Sequence, residues 1–249
     1  MILEKTRPSI ILAAIVLRQP TVLAEAKWKK DPWKLHPERI DSMKLLLDIL
    51  SDCAELFVMR DRISKDSEDI GERDEIHTIM IKGYRILEEL EQWEKSWTTN
   101  VAHACIEVPS PPTAPFLPNS DGKPELIWST VFQYDSLYTA NTVTMYNAAL
   151  VLVLHFIRGL EGKTTQGISQ VLQERIRTAG ITICRSVDYH HGDQWGEQGG
   201  FFLLFPLRMA YDAIGKTDPV IGMWLKGVLD DIAAGRRGLW KSAKTMLSL

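Results

Sequence analysis

The sequence predicts an all-α protein: one helical-bundle domain spanning 1–249, built of seven or eight helices, with a proline-rich surface linker at 108–124. Three observations lead there. Apolar residues recur at three- and four-residue steps through most of the chain, strand-type alternation is almost absent, and six of the twelve prolines fall between Val108 and Pro124.

Near the N-terminus, Lys5 and Arg7 precede the apolar run Ile10 to Leu17, and Ala24-Glu25-Ala26 has the spacing of a signal-peptidase site. The run is short for an export signal and is closed by Arg18, so an intracellular protein is expected. Residues 37–59 open with Pro37, suited to a first helical turn, and place Ile40, Met43, Leu46, Leu47, Leu50, Cys53 and Phe57 on one face. The charged stretch Asp61 to Glu75 reads as a solvated connection. The stripe then returns in Ile76, Ile79, Met80, Gly83, Ile86 or Leu87, Leu90, Trp93 and Trp97, opposite Glu88, Glu89, Glu91, Glu94 and Lys95.

Between Val108 and Pro124 the prolines, with Asn119, Ser120, Asp121 and Gly122, exclude a helix and a central strand, and regular pairing is not expected there. Pro124 then suits the first turn of a long helix, Glu125 to Arg158, whose second half is apolar on nearly every side, as in a helix at the centre of a bundle. Its longest apolar run, Ala148 to Ile157, is about half of the roughly 20 residues that span a bilayer, so membrane insertion is not expected.

Gly159, Gly162 and Gly167 mark a turn, after which Ile168, Val171, Leu172, Ile176, Ala179, Ile183 and Val187 resume the helical stripe. Asp188 to Gly200, with four glycines, reads as a loop of the kind that carries function on a rigid scaffold. Phe201 to Ile214 contains Pro206 and is expected to be a kinked or two-piece helix. Asp218-Pro219 reads as an N-cap and first-turn proline opening a last helix through about Ala234, with Gly235 as a C-cap.

Composition narrows the function. With 29 Lys+Arg against 32 Asp+Glu, a net charge of −3 and a pI near 6.1, the chain lacks a generic phosphate-binding surface. Cys53, Cys105 and Cys184 are scattered, and the six histidines show no HxxxH or HExxH spacing, so no metal and no disulfide framework is expected. Neither GxGxxG nor GxxxxGK[ST] occurs, so no nucleotide cofactor is expected.

Several segments carry a resemblance. They are Leu17-Arg18-Gln19-Pro20-Thr21-Val22-Leu23 running into Trp28 and Pro32-Trp33, the helix end Leu90-Glu91-Gln92-Trp93, and the Tyr134 to Ile157 segment. Above all, Ile183-Cys184-Arg185-Ser186-Val187-Asp188-Tyr189-His190 leads to Gly200-Phe201-Phe202-Leu203-Leu204-Phe205-Pro206-Leu207. In order and spacing, from about residue 17 to 240, these resemble the C-terminal regulatory domain of fungal transcription factors of the zinc binuclear cluster class. Family members that bind DNA also carry a cluster of closely spaced cysteines holding zinc and a basic segment, which these residues do not include. The resemblance therefore implies a helical regulatory fold without direct nucleic-acid binding, as a free-standing protein or a piece of a longer regulator.

Two groups of residues are candidates for chemistry. His190, His191, Asp193 and Glu197, with Trp195, bring imidazoles and carboxylates close in sequence, as general acid/base work requires, or else form a solvated helix connection. Trp128, Gln133, Tyr134, Asp135, Tyr138, Thr142, Tyr146 and Asn147 give the expected central helix more polar and aromatic groups than packing requires; Tyr134 and Tyr138 would share a face. These side chains bind a ligand or hydrogen-bond between helices. His103, His155 and Cys184 are weaker candidates.

The expected function is binding of a hydrophobic small molecule in a bundle pocket, without a cofactor. The alternatives are a cofactor-independent cyclase or isomerase of fungal secondary metabolism, and a regulator acting through protein–protein interaction. A homo-oligomer or a partner protein fits either.

Overall fold

The computed structural model describes residues 2–62, 70–100, 104–111, 116–118, 124–160 and 166–234. Among them are the α-helices α1 (Ile2–Leu17), α2 (Ala26–Lys30), α3 (Ser42–Arg62), α4 (Ile70–Asn100), α5 (Leu137–Leu160), α6 (Gln166–Arg185), α7 (Val187–His190), α8 (Gly196–Ala210) and α9 (Pro219–Ala234). The strands are β1 (Cys105–Pro109), β2 (Phe116–Pro118), β3 (Pro124–Leu126) and β4 (Thr130–Tyr134). Since α2 and α7 are about one turn each, the long helices dominate and the protein is all-α, as the periodicity predicts. The chain divides into two compact units, one from Met1–Asn100 and Leu152–Leu172, the other from Val101–Val151 and Gln173–Leu249.

In the first unit the apolar run near the N-terminus is part of α1, which packs on α3. Its Arg7 is 1% exposed and is paired with Asp48 of α3. The helix closes where Gln19 N–H donates to the Ala14 carbonyl at 2.9 Å and Arg18 takes a left-handed φ of 51°. The next helix does not start at Pro37. Residues Pro37–Arg39 form an isolated 3-10 turn, and Asp41 caps α3 by accepting from the Lys44 N–H at 2.8 Å.

The stripes of α3 and α4 face each other: Leu46, Leu50, Cys53 and Ala54 are buried with Ile79, Ile86 and Leu90. Trp93 stacks on Trp97 at 5.8 Å and donates its indole N–H to the Ser42 carbonyl at 2.8 Å. Phe156 of α5 meets Phe57 edge-on at 5.3 Å, and a Cβ at Gly83 would lie 3.3 Å from Ile157. A side chain at position 83 would crowd Ile157, which would have to give by a few tenths of an ångström. Much of the expected connection 61–75 belongs to α3 and α4; residues 63–69 of it lie outside the described residues.

The second unit corrects two expectations. The linker is not unpaired: β1 pairs antiparallel with β4 (Cys105↔Tyr134 to Pro109↔Thr130), and β2 pairs antiparallel with β3 (Phe116↔Leu126 to Pro118↔Pro124). Pro109, Pro118 and Pro124 each sit at a strand end, and every strand of a two-stranded sheet has a free edge, so the missing N–H groups interrupt no central ladder. Likewise the long helix does not begin near Glu125. Val131 and Tyr134 are both buried in β4, and Ser136 caps α5, its Oγ accepting from the Thr139 N–H at 3.1 Å. Tyr134 and Tyr138 therefore do not share a helix face.

From Leu137, α5 is buried over much of its length, with Ala140, Ala148, Ala149 and Val151 fully buried in this unit. The whole helix is long and apolar enough to cross a membrane by length and composition, but 61% of its most apolar window is buried inside the protein. Core packing accounts for its apolar girdle.

On α6 the expected stripe is buried at Leu172, Ile176, Ala179 and Ile183, whereas Val171 is 62% exposed. Where a kinked or two-piece helix is expected over Phe201 to Ile214, α8 runs unbroken from Gly196 through Pro206 and passes into a π-helical turn at Tyr211–Gly215. Asp218 caps α9, its Oδ1 accepting from the Val220 and Ile221 N–H groups at 3.1 Å. Gly235 and His103 lie outside the described residues.

Candidate functional site

The expected loop 188–200 is mostly helical. Ser186 precedes α7, His191–Trp195 is the turn, and α8 begins at Gly196, whose φ of 51° is one that glycine adopts without strain. The turn is tight because Gly192 N–H donates to the Tyr189 carbonyl and Trp195 N–H to the Gly192 carbonyl, at 3.3 and 2.9 Å. The first turn of α8 then presses on α7: a Cβ at Gly199 would lie 1.9 Å from the His190 carbonyl oxygen and 3.2 Å from Cβ of Trp195. Only a glycine fits between them.

A buried polar chain lies beneath this turn. The Ser186 hydroxyl donates to the Thr182 carbonyl at 2.7 Å. Its single proton being spent there, the Tyr134 hydroxyl donates to Ser186 Oγ at 2.6 Å. The Cys105 thiol also hydrogen-bonds the Tyr134 hydroxyl. Nδ1 of His190 lies 2.9 Å from the Ser186 carbonyl, which can only accept, so Nδ1 carries the ring proton and Nε2 presents a lone pair. His190 is fully buried, and Nε2 has no hydrogen-bond partner among the described residues.

Burial keeps these groups neutral. It pulls the His190 pKa down to about 4, against the opposing bond to Ser186. Burial also raises the Tyr134 hydroxyl and the Cys105 thiol above their ordinary ranges. The site thus offers directed hydrogen bonds and aromatic faces rather than charge.

Rings enclose the chain. Tyr134 meets Tyr189 at 5.2 Å in a T-shaped contact, Tyr189 lies 5.6 Å from Trp195 and 6.3 Å from His190, and Phe132 lies 6.3 Å from Tyr134. Ala140, Val143 and Cys105 complete this cluster. Its flank is locked by Arg185, which pairs with Glu107 at 2.8 Å, donates to the Thr130 carbonyl at 2.9 Å and covers the Phe132 ring at 4.2 Å.

Of the residues singled out in the sequence, the fold brings Tyr134, His190 and Trp195 to this cluster. The expected acid/base quartet is split by burial: His190 is inside, while His191, Asp193 and Glu197 are exposed. The His191 ring rests against the protein far enough for burial to lower its pKa, with Asp231 and Asp188 opposing. Asp135 is exposed beside Tyr189 and helps to raise that hydroxyl's pKa, after burial.

Along α5 the polar groups turn inward to their own backbone. Thr142 donates to the Tyr138 carbonyl at 2.8 Å, and Asn147 to the Val143 carbonyl at 2.8 Å. Tyr138 is 47% exposed and Tyr146 is buried. Trp128, half-buried ahead of β4, meets Trp224 edge-on at 6.2 Å.

Cys105, Ser186 and Tyr189 were not among the sequence candidates. Ser186 and His190 stand four residues apart, a readable spacing, but Tyr134 meets Ser186 across 52 positions, which no local pattern marks. Among the described residues no group of three or more His, Cys, Asp or Glu could hold a metal ion. Compared with family models, with curated proteins and with solved structures, the chain finds no match.

Proposed function

We propose that this chain is an intracellular helical protein that binds a hydrophobic small molecule at the aromatic cluster of its second unit. One observation supports the reading most. Two ring nitrogens at this cluster, Nε2 of His190 and Nε1 of Trp195, are buried and have no hydrogen-bond partner among the described residues. Buried polar atoms are nearly always satisfied, and an apolar wall bearing a few unspent donors and acceptors is the chemistry of a ligand site. The resemblance to fungal regulatory domains favours ligand sensing without direct DNA contact. Binding is favoured over acid/base chemistry because the quartet is split, with His190 alone at the cluster and His191, Asp193 and Glu197 exposed.

Titration of the full chain with naphthalene and with anilinonaphthalene sulfonate, followed by tryptophan emission, tests this. Saturable binding at one site, weakened in Trp195→Phe, is expected. A linear, unsaturable response that is the same in the variant overturns it.

A further inference from the structure

We propose that residues 236–249 of this chain dock on the exposed side of α9, returning antiparallel along it. The docking surface shares no residue with the aromatic cluster, so the proposal is independent of the ligand-binding reading.

One side of α9 stays out of the core. Ile221, Leu225, Leu229 and Ile232 are buried, whereas Val220 is 39% and Met223 63% exposed, and a Cβ at Gly227 would meet nothing within 4 Å. Trp224 is half-buried, with Trp128 against one edge of its ring and the rest open to solvent. Asp230 and Asp231 are exposed one turn further on, and neither is held in an ion pair among the described residues; the nearest titratable group acting on Asp231 is the His191 ring. Steps of three and four residues put Val220, Met223, Trp224, Gly227, Asp230 and Asp231 on one side of the helix, apolar in its first half and acidic in its second.

The sequence that follows α9 has the complementary chemistry. Residues 235–249 lie outside the described residues and read Gly-Arg-Arg-Gly-Leu-Trp-Lys-Ser-Ala-Lys-Thr-Met-Leu-Ser-Leu, with four cationic side chains and no acidic one. Against a net charge of −3 for the whole chain, this +4 leaves −7 on all the other residues. Leu239, Trp240, Ala243, Met246 and Leu247 recur at helical steps with Arg237, Lys241 and Lys244 between them, the pattern of one apolar and one basic side. Gly235 to Gly238 supplies a connection of the length that joins antiparallel helices. A helix over 239–249 covers about 16 Å, the same distance as α9 from Asp231 back to Val220. That return sets Arg236 and Arg237 beside Asp230, Asp231 and the negative end of α9, and brings Trp240 and Met246 over Trp224 and Met223. An anionic membrane would also attract these basic and apolar residues. The two carboxylates of α9 and the high effective concentration of a directly tethered segment favour α9 instead.

The test uses the full chain with the photoreactive p-benzoylphenylalanine in place of Trp240, and mass spectrometry to locate the cross-links. Cross-links within one chain to the Val220–Gly227 stretch, chiefly at Met223, are expected and should persist on dilution. Asp230→Lys with Asp231→Lys should cut their yield about tenfold by turning attraction into repulsion, and adding Arg236→Glu with Arg237→Glu should restore it. All four positions are on exposed backbone or beyond α9, so the variants should keep the parent's helical circular dichroism. Cross-links only to other parts of the chain, or none, would overturn the proposal. So would cross-links between chains in a mixture of 15N-labelled and unlabelled protein, which would make a second copy the occupant. A yield unmoved by the charge reversal, or one that the compensating pair does not restore, would overturn the charge pairing that sets the register. Loss of the α9 cross-link on adding vesicles of equal phosphatidylglycerol and phosphatidylcholine, with the chain sedimenting with them equally in parent and Asp230→Lys/Asp231→Lys, would assign the segment to a membrane and overturn it as well.

Discussion

Each unit of this protein buries a polar centre, and the two solve the problem in opposite ways. The first unit buries charge. Arg7 pairs with Asp48, lies 5.9 Å from the centre of the Trp33 ring, and leaves Nε and Nη1 without a hydrogen bond. Lys29 pairs with Asp52 nearby, at 2.7 Å. Burial pushes the Asp48 carboxyl up to about 6 in spite of Arg7 and Lys29, so removal from water outweighs the attraction of its partners. The second unit buries neutral groups, Tyr134, Ser186 and His190, each with a directed bond. A charged pair fastens α1 to α3 at a high desolvation cost; a neutral chain positions rings and leaves hydrogen-bonding capacity unspent.

The largest contrast is expected on truncation. Asp48→Ala strands a buried guanidinium and should destabilise the protein by about 3–5 kcal/mol in urea unfolding. Replacing both partners, as Arg7→Met with Asp48→Leu, should restore most of that loss or exceed it. A double variant as unstable as the single one would show that the pair, rather than its desolvation, dominates.

Acid separates the centres by sign. His190 titrates near 4 in the folded protein against about 6.5 when unfolded, so only the unfolded state gains its proton as pH falls between those values. That costs about 3 kcal/mol of stability by pH 4, a loss that His190→Gln should not share. Asp48, at about 6 folded against 3.8 unfolded, binds its proton more readily in the folded state, so its contribution to stability rises as pH falls through the same window and is lost as pH rises through 6. Relative to Asp48→Asn, the parent should gain about 2–3 kcal/mol between pH 7 and 4. Unfolding curves at pH 7, 5 and 4 read both differences; the same sign in both would break the contrast.

Smaller effects probe the neutral chain. Ser186→Ala leaves the Tyr134 hydroxyl without its acceptor and should cost about 1–3 kcal/mol, whereas Tyr134→Phe, which removes the hydroxyl itself, should cost about 1 kcal/mol. Equal costs would mean that the hydroxyl finds another acceptor. Tyr138→Phe, at a half-exposed ring, should stay within about 0.5 kcal/mol of the parent.

What was legible in the sequence follows from how local each cause is. The buried faces of α3 and α4 show in their 3.6-residue period, since Leu46, Leu50, Ile79, Ile86 and Leu90 each repeat within a turn or two of an apolar neighbour. The cap Asp218 is equally plain, because its side chain bonds N–H groups two and three residues away. The two antiparallel strand pairs were hidden because their prolines read as breakers and their strands are only three to five residues long. At the site, histidine, tyrosine and tryptophan could be named as candidates by type, but not sorted: His190 and His191 are adjacent in sequence, and one is sealed in while the other faces water.

By itself, then, the sequence determined the all-α class, the stripes that face the core, the last helix and its cap, because periodicity and capping act over a few residues. Tertiary structure alone decided that Arg7 is buried against Asp48, that Tyr134 reaches Ser186, and that His190 keeps a lone pair without a partner among the described residues. Those outcomes depend on which distant backbone arrives beside each side chain and on how much water it displaces. Hydrogen bonding and desolvation act between neighbours in space, and nothing in the local pattern of a chain records them.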